Sequence, residues 1–203
     1  GTVARSGAAG KRAATARRRA GTLRRMADPG IDLDRVQRLR DLFLDERRGE
    51  RPLADYWRDA HDLAAYDAVL AVRIGFKWDA VLAECRARGF EGAADHRVLD
   101  YGCGSGIAVR SYLRHAAAGE IVLQDRSALA MAFAAQRLRE HHPHLPTTLL
   151  RSAGPVACDV LLISHVLGEL DAAGERALLA QVGVARRVLW VEPGSRSVSR
   201  RLS

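Results

Sequence analysis

The chain has 203 residues, of which 48% are hydrophobic and 28% are charged, which is enough for one folded domain with a substantial core. No apolar run approaches the roughly 18 residues that a bilayer crossing needs, and no apolar signal-peptide core stands near the amino end. We therefore expect a soluble protein that does not act in a membrane. The cysteines are Cys85, Cys103 and Cys158. Their wide spacing predicts a reduced cytoplasmic protein without disulfides. Arginine outnumbers lysine 30 to 2, which is typical of a GC-rich bacterial genome, so we expect a bacterial cytoplasm, with an organellar matrix as the alternative.

The net charge of +8 comes from the amino-terminal segment, residues 1–25, which carries eight basic residues and no acidic one. The remaining 24 basic side chains match the 24 acidic ones, so the rest of the chain is neutral. Clustered arginines are compatible with an RNA-binding arm, an organellar transit peptide or an unstructured leader. We predict that residues 1–30 form a basic, disordered leader.

Residues 31–92 are predicted to form a small helical cap that precedes the first strand. Apolar side chains recur there at intervals of three and four residues, at Leu33, Val36, Leu39, Leu63, Leu70, Ile74, Trp78, Leu82 and Cys85. This period is typical of helices that bury one face. Gly75 predicts an interruption within the last helix, and Gly89 predicts its end.

After the cap, short apolar runs alternate with segments of helical length. The predicted strands cover residues 97–101, 120–124, 147–150, 158–164 and 187–192, and the predicted helices cover 106–117, 127–140 and 171–183. Uninterrupted apolar runs such as Val160 to Ile163 are typical of a sheet that is covered on both faces. The alternation predicts an α/β fold for residues 93–203, with a doubly wound, mostly parallel Rossmann-like sheet behind the helical extension.

The segment from Val98 to Gly106 is the most informative part of the chain. An apolar run in the first predicted strand ends at Asp100, and glycines follow at positions 102, 104 and 106. Such a turn between a strand and a helix lets the backbone approach a bound cofactor closely. Asp125 directly follows the next predicted strand, nineteen residues after Gly106, where a carboxylate can accept both hydroxyls of a ribose.

The glycine spacing separates two classes of cofactor. A dinucleotide site requires a third glycine at position 107, which is Ile107 here, and the helix amino end then holds a pyrophosphate. The observed spacing is typical of S-adenosylmethionine (SAM) sites. SAM has no phosphate, and its positively charged methionyl end suits a carboxylate at Asp100. A nucleotide site and a purely structural glycine turn are the alternatives.

Polar residues end several predicted strands and are expected to meet in one crevice. Asp100, Asp125, Ser164 and Glu192 have these positions, and ligands of doubly wound sheets bind beyond the carboxyl ends of the strands. His165 and Glu169, four residues apart, could form a general-base pair or a packed, solvent-facing pair. The segment from Glu192 to Gly194 could shape the crevice or only turn the chain.

Three segments carry a family resemblance. Val98 to Gly106, Asp159 to Leu170 and Val188 to Ser195 together resemble the methyltransferase-like proteins associated with the small ribosomal subunit, a family of mitochondria and bacteria. The resemblance covers residues from about 60 to 203. It implies a class I SAM-dependent methyltransferase that acts on rRNA or another component of the small ribosomal subunit. The alternative is a catalytically weak or inactive SAM-binding assembly factor for that subunit.

The resemblance also implies a set of cofactor-binding residues. They are Asp100, Gly102, Cys103, Gly104, Gly106, Asp125 and Arg126, with Ser164 and His165 lining the mouth of the site. No catalytic residue is assigned, because the segment after the fourth strand lacks the Asn-Pro-Pro-Tyr and Asp-Pro-Pro-Tyr motifs that grip a base nitrogen, and no Pro-Cys nucleophile is present. Methyl transfer would then depend mainly on positioning.

The chain departs from the family pattern at its carboxyl end. The family usually continues into a Cys/His-rich segment that holds a metal or an iron–sulfur cluster, and this chain ends without such cysteines, so no metal is expected. We also expect the last two strands of a complete methyltransferase sheet to be missing. The segment from His141 to His144 contains a proline and is interpreted as a loop rather than as a metal site.

Overall fold

The computed structural model describes residues 31–44, 55–151 and 154–194, so the predicted leader at residues 1–30 lies outside the described residues. The described helices are α1 (Leu33–Leu44), α2 (Ala60–Val69), α3 (Ala71–Ala87), α4 (Ile107–His115), α5 (Ala128–His141) and α6 (Ala172–Val184). The described strands are β1 (Arg97–Tyr101), β2 (Glu120–Gln124), β3 (Thr147–Leu150), β4 (Val160–Ser164) and β5 (Val188–Val191). A short 3₁₀ helix (Leu167–Glu169) follows β4.

The five strands form one sheet in the order β3-β2-β1-β4-β5, and every neighbouring pair is parallel. This arrangement confirms the predicted doubly wound sheet. The chain runs outward from β1 to β3 and then returns to β4 on the other side of β1, which creates a switch point at the carboxyl end of β1. The sequence therefore places the glycine turn at the position where such sheets bind ligands.

Alternate strand residues pack on opposite faces of the sheet. Val98, Ile121 and Leu162 belong to the core cluster under α3, α4 and α5. Leu99 and Leu161 belong to the cluster on the other face, which α6 covers. Both faces of the central strands are therefore buried, as their uninterrupted apolar runs indicate.

The predicted interruption at Gly75 is wrong. The break lies at Leu70, between α2 and α3, and Gly75 is buried inside α3. A Cβ atom at Gly75 would lie 3.2 Å from Cδ1 of Ile107, so the glycine allows α3 to pack closely on α4. Gly89, with a φ of 84°, follows the end of α3 as predicted.

A buried ionic cluster ties α1 to α2. Asp62 is fully buried, and its carboxylate accepts hydrogen bonds from Arg35, Arg38 and Arg58. Burial opposes ionisation, but the hydrogen bonds from Arg58 and Arg35 outweigh it and hold the pKa of Asp62 well below its ordinary value. The cluster therefore joins α1 to the amino-terminal part of α2.

Candidate functional site: a carboxylate-lined glycine turn

The turn between β1 and α4 has a backbone that only glycine adopts easily. Gly102, Gly104 and Gly106 have φ values of 69°, 51° and 78°. A Cβ atom at Gly102 would lie 2.5 Å from Cγ2 of Val166, whereas one at Gly104 would meet no atom within 4 Å. Gly102 is therefore required for packing, and Gly104 faces open space.

The N–H groups of four turn residues are used within the protein. Gly102 and Cys103 donate to the carbonyl oxygen of Gln124 at 2.8 and 3.0 Å, and Gly106 donates to the carbonyl of Cys103 at 2.7 Å. The N–H of Gly104 donates to Oδ2 of Asp125 at 2.9 Å. A pyrophosphate is held by unpaired N–H groups, so these four groups do not provide a phosphate cradle.

Asp100 lies beneath the turn and is fully buried. Its Oδ2 accepts a hydrogen bond from the N–H of Val109 in the first turn of α4 at 3.3 Å. Its buried Oδ1 has no partner among the described residues. Burial raises the pKa of Asp100 to about 8. A buried carboxyl group with an unpaired oxygen is stabilised by a nearby cation or hydrogen-bond donor.

Asp125, at the end of β2, holds the turn from the side. Its Oδ1 accepts from the N–H of Ser127 at 2.9 Å, while its Oδ2 binds Gly104. Ser127, rather than Asp125, caps α5, because its Oγ accepts from the N–H of Ala130. A carboxylate offers about four acceptor positions, so roughly two remain for a ligand such as a ribose. Burial raises the pKa of Asp125.

Ser164 and His165 lie at the end of β4, on the other side of β1. Ser164 Oγ accepts from Nε1 of Trp78 at 2.9 Å. His165 has a left-handed backbone with a φ of 58°, and its N–H donates to the carbonyl of Val191 at 2.9 Å. Its Nε2 lies 3.2 Å from Nζ of Lys77. Burial, and then the charge of Lys77, lower the pKa of His165 to about 4, so its imidazole is neutral at physiological pH.

Glu192 anchors the loop that carries His165. Its Oε1 accepts from the N–H groups of Val166 and Leu167 at 3.1 and 3.0 Å and from Nε1 of Trp190 at 2.9 Å. These contacts join the end of β5 to the loop after β4. The sequence leaves two roles open for the segment that begins at Glu192, which are to shape the crevice or only to turn the chain. The contacts of Glu192 favour the first role.

Other predicted site residues have different surroundings. Cys103 is buried in the core, and burial raises the pKa of its thiol well above the ordinary value. The guanidinium of Arg126 lies 5.0 Å from the ring centroid of Tyr56. Glu169 accepts a hydrogen bond from the Tyr56 hydroxyl at 3.3 Å, whereas His165 contacts Lys77. These contacts do not support the predicted pairing of His165 with Glu169.

Two residues near the site were missed by sequence reasoning. Asp55 and Tyr56 lie in a segment without regular secondary structure before α2, where the apolar period predicts a helix. Oδ2 of Asp55 accepts from the hydroxyl of Ser127 at 2.6 Å, and Ser127 lies two residues after Asp125. No local motif signals this contact, which joins positions 72 residues apart.

The opposite edge of the sheet carries a shallow cavity of about 410 Å³, whose lining includes Leu113, His142 and His144. Within the described ranges, no group of three or more histidine, cysteine or acidic residues could hold a metal ion. None of the described helices has both the length and the hydrophobicity that a membrane crossing requires. The glycine turn is thus the candidate site.

Comparison with known proteins identifies the fold. No protein-family profile and no curated sequence matches the chain. The chain is similar to DhpI, solved in complex with S-adenosylhomocysteine, at 20% identity and a TM-score of 0.50, over 67% of this chain and 66% of DhpI. It is also similar to the candidate RNA methyltransferase PH1948 from Pyrococcus horikoshii, at 16% identity and a TM-score of 0.49, over 83% and 79% of the two chains.

A third similar structure is the glycopeptide N-methyltransferase MtfA in complex with SAM. It is 24% identical with a TM-score of 0.40, over 52% of this chain and 48% of MtfA. Together with the strand order, the similarity to DhpI shows that the chain has the Rossmann-like fold of class I SAM-dependent methyltransferases.

Proposed function

We propose that this protein is a SAM-dependent methyltransferase whose cofactor lies over the glycine turn, between Asp100 and Asp125. The observation that carries the proposal is the chemistry of the turn. Two carboxyl groups face it, and four of its N–H groups are already donated within the protein. This arrangement favours a positively charged nucleoside over a pyrophosphate. The bound S-adenosylhomocysteine of DhpI, which shares the fold, supports the same cofactor class.

The residues of the turn fit SAM. The spare acceptor positions of Asp125 would bind the ribose hydroxyls, and the open space at Gly104 would admit the nucleoside. A bound cation would stabilise the ionised form of Asp100, whose unpaired oxygen would then favour the positive methionyl end electrostatically. SAM supplies a methyl group that its sulfonium already activates, so the protein needs mainly to align the acceptor with it.

We further propose that the acceptor is rRNA or another component of the small ribosomal subunit, in a bacterial cytoplasm. The sequence resemblance supports this target, and so does the surface of α3 beside the crevice. Phe76 is 68% exposed there, between the exposed basic residues Arg73 and Lys77. Lys77 reaches the crevice through His165. An exposed aromatic ring flanked by cations suits a nucleic acid, which offers bases for stacking and phosphates for pairing.

A second candidate is a SAM-binding assembly factor of the small subunit with weak or no catalysis. The surroundings of His165 favour it, because an imidazole with a pKa of about 4 is a poor acceptor for a substrate proton. The other residue of the predicted general-base pair, Glu169, already accepts a hydrogen bond from Tyr56. Both functions use the same cofactor site and differ only in whether a methyl group is transferred.

Transfer of a labelled methyl group from SAM to purified small ribosomal subunits tests the two candidates. The subunits come from cells that lack this protein, so the target position is unmodified. Label in rRNA that wild-type protein adds and the Asp125→Asn variant does not would support the methyltransferase. SAM binding and subunit binding without label would support the assembly factor. A wild-type protein that binds no SAM would contradict both.

Residues of α6, on the opposite face of the sheet, provide matched controls for substitutions on the α3 surface. Leu179 is 55% exposed, and Arg176 is also exposed. Phe76→Ala and Lys77→Gln should each weaken rRNA binding about three- to tenfold, since a stacking contact or a phosphate contact is lost. Leu179→Ala and Arg176→Gln should have no effect. Equal effects of the two sets would contradict a role of this surface.

A further inference from the structure

Tyr56 connects the two loops that flank the glycine turn. Its ring lies against the guanidinium of Arg126, which follows β2. Its hydroxyl donates to Oε2 of Glu169, in the 3₁₀ helix that follows β4. In the sheet, β1 lies between β2 and β4, so these two loops stand about two strand spacings, or roughly 10 Å, apart. A side chain that contacts both loops passes across the carboxyl end of β1.

Asp55 adds a second contact on the β2 side. Its Oδ2 accepts a hydrogen bond from the Ser127 hydroxyl at 2.6 Å. Burial raises the pKa of Asp125, and the negative charge of Asp55 raises it further, so the two carboxylates are within electrostatic reach of each other. The segment that begins at Asp55 therefore borders the carboxylate predicted to hold the ribose.

The same segment is held from the other side by the helical cap. Trp57 is 6% exposed and packs with Leu39 and Leu63 of the cap and with Ala130 of α5. The N–H of Arg58 donates to the buried carboxylate of Asp62 at 3.0 Å. Asp55 and Tyr56 thus lie between a fixed anchor and the crevice.

We propose that Asp55 and Tyr56 form the outer wall of the cofactor site. The nucleoside would lie between the open face of Gly104 and this wall, and both residues would act as positioning residues. The inference rests on the proposed function, because it assigns further residues to the same site. It also implies that a bound nucleoside leaves only when the contact between Tyr56 and Glu169 opens.

The test is the rate at which the full chain releases bound cofactor. Tritium-labelled SAM is bound to the protein and then chased with excess unlabelled SAM. Tyr56→Phe keeps the ring in the aromatic packing and removes the hydroxyl that binds Glu169. Tyr112→Phe is the matched control, because its hydroxyl binds the carbonyl of Ala117 at 3.4 Å, away from the crevice.

Tyr56→Phe should release SAM about five times faster than wild type, as expected when one hydrogen bond is lost, while Tyr112→Phe should release it at the wild-type rate. Removal of the ring in Tyr56→Ala should accelerate release at least tenfold. If wild type binds SAM and all variants release it at one rate, the wall is refuted and the proposed function stands. If wild type binds no SAM, the proposed function fails and the wall fails with it.

Discussion

The two sides of the crevice differ in how their polar groups are used. On the side of β1 and β2, Asp100 keeps a buried oxygen without a partner, and Asp125 keeps acceptor positions beyond its two hydrogen bonds. On the side of β4 and β5, Ser164, His165 and Glu192 each bind protein groups that join neighbouring elements, and only Oε2 of Glu192 stays without a partner among these three side chains within the described residues. The first side therefore offers more acceptor positions to a ligand, and the second side mainly holds the loops in place.

The largest expected effect on SAM binding comes from Asp125→Asn, which removes the charge that would bind the ribose. The variant should bind SAM about 30- to 100-fold more weakly, because two hydrogen bonds to a charged acceptor are weakened. Calorimetric titration with SAM measures this. Asp79→Asn, which alters a carboxylate paired with Arg114, is the control and should bind SAM as wild type does.

Substitutions at two glycines of the turn should affect the free energy of unfolding and the affinity for SAM differently. Gly102→Ala places a methyl group against Val166 at a left-handed position, and we expect it to lower the free energy of unfolding by about 2 kcal/mol or more. Gly104→Ala meets open space and should cost about 1 kcal/mol from its backbone alone. Its methyl group nevertheless enters the space assigned to the nucleoside, so SAM affinity should fall at least tenfold, a loss large enough to detect by titration. Urea unfolding measures the stability of both variants, and titration with SAM measures their affinity. Normal SAM binding by Gly104→Ala would contradict this account.

Asp100 should make stability depend on pH. Because folding raises its pKa from 3.8 to about 8, the native state favours the neutral carboxyl, and this group's contribution to stability is lost as pH rises from about 4 to about 8. Asp100→Asn removes the ionisation. The variant should therefore exceed wild type in free energy of unfolding by about 5 kcal/mol at pH 8, and the difference should vanish near pH 4. A difference that does not change with pH would show that Asp100 does not titrate in this range.

The smallest expected effect on binding comes from Glu192→Gln, on the second side of the crevice. The amide should hold the N–H groups of Val166 and Leu167 less strongly, which should lower the free energy of unfolding by about 1 kcal/mol. The dissociation constant for SAM should change less than about threefold, since no ligand contact is altered. A loss of affinity as large as that of Asp125→Asn would remove the distinction between the two sides.

The sequence predicted the parts of the molecule that local patterns determine. The buried strands follow from uninterrupted apolar runs, and the positions of Asp100 and Asp125 follow from the ends of those runs. The break at Leu70 was missed, because a glycine inside a helix can reflect close packing, as Gly75 does against Ile107. Tyr56 was missed because its partners, Arg126 and Glu169, are distant in sequence, and no periodicity indicates such contacts.

The most direct test compares SAM with NAD as ligands of the full chain. Both ligands contain adenosine, so a protein carboxylate that binds the ribose would hold either of them. SAM, however, carries a positive sulfonium, whereas NAD carries a negative pyrophosphate. We expect calorimetric titration to show SAM bound at least about 100-fold more tightly than NAD, a preference of roughly 2.7 kcal/mol. Equal or tighter binding of NAD would contradict the assignment of the glycine turn to a cationic nucleoside.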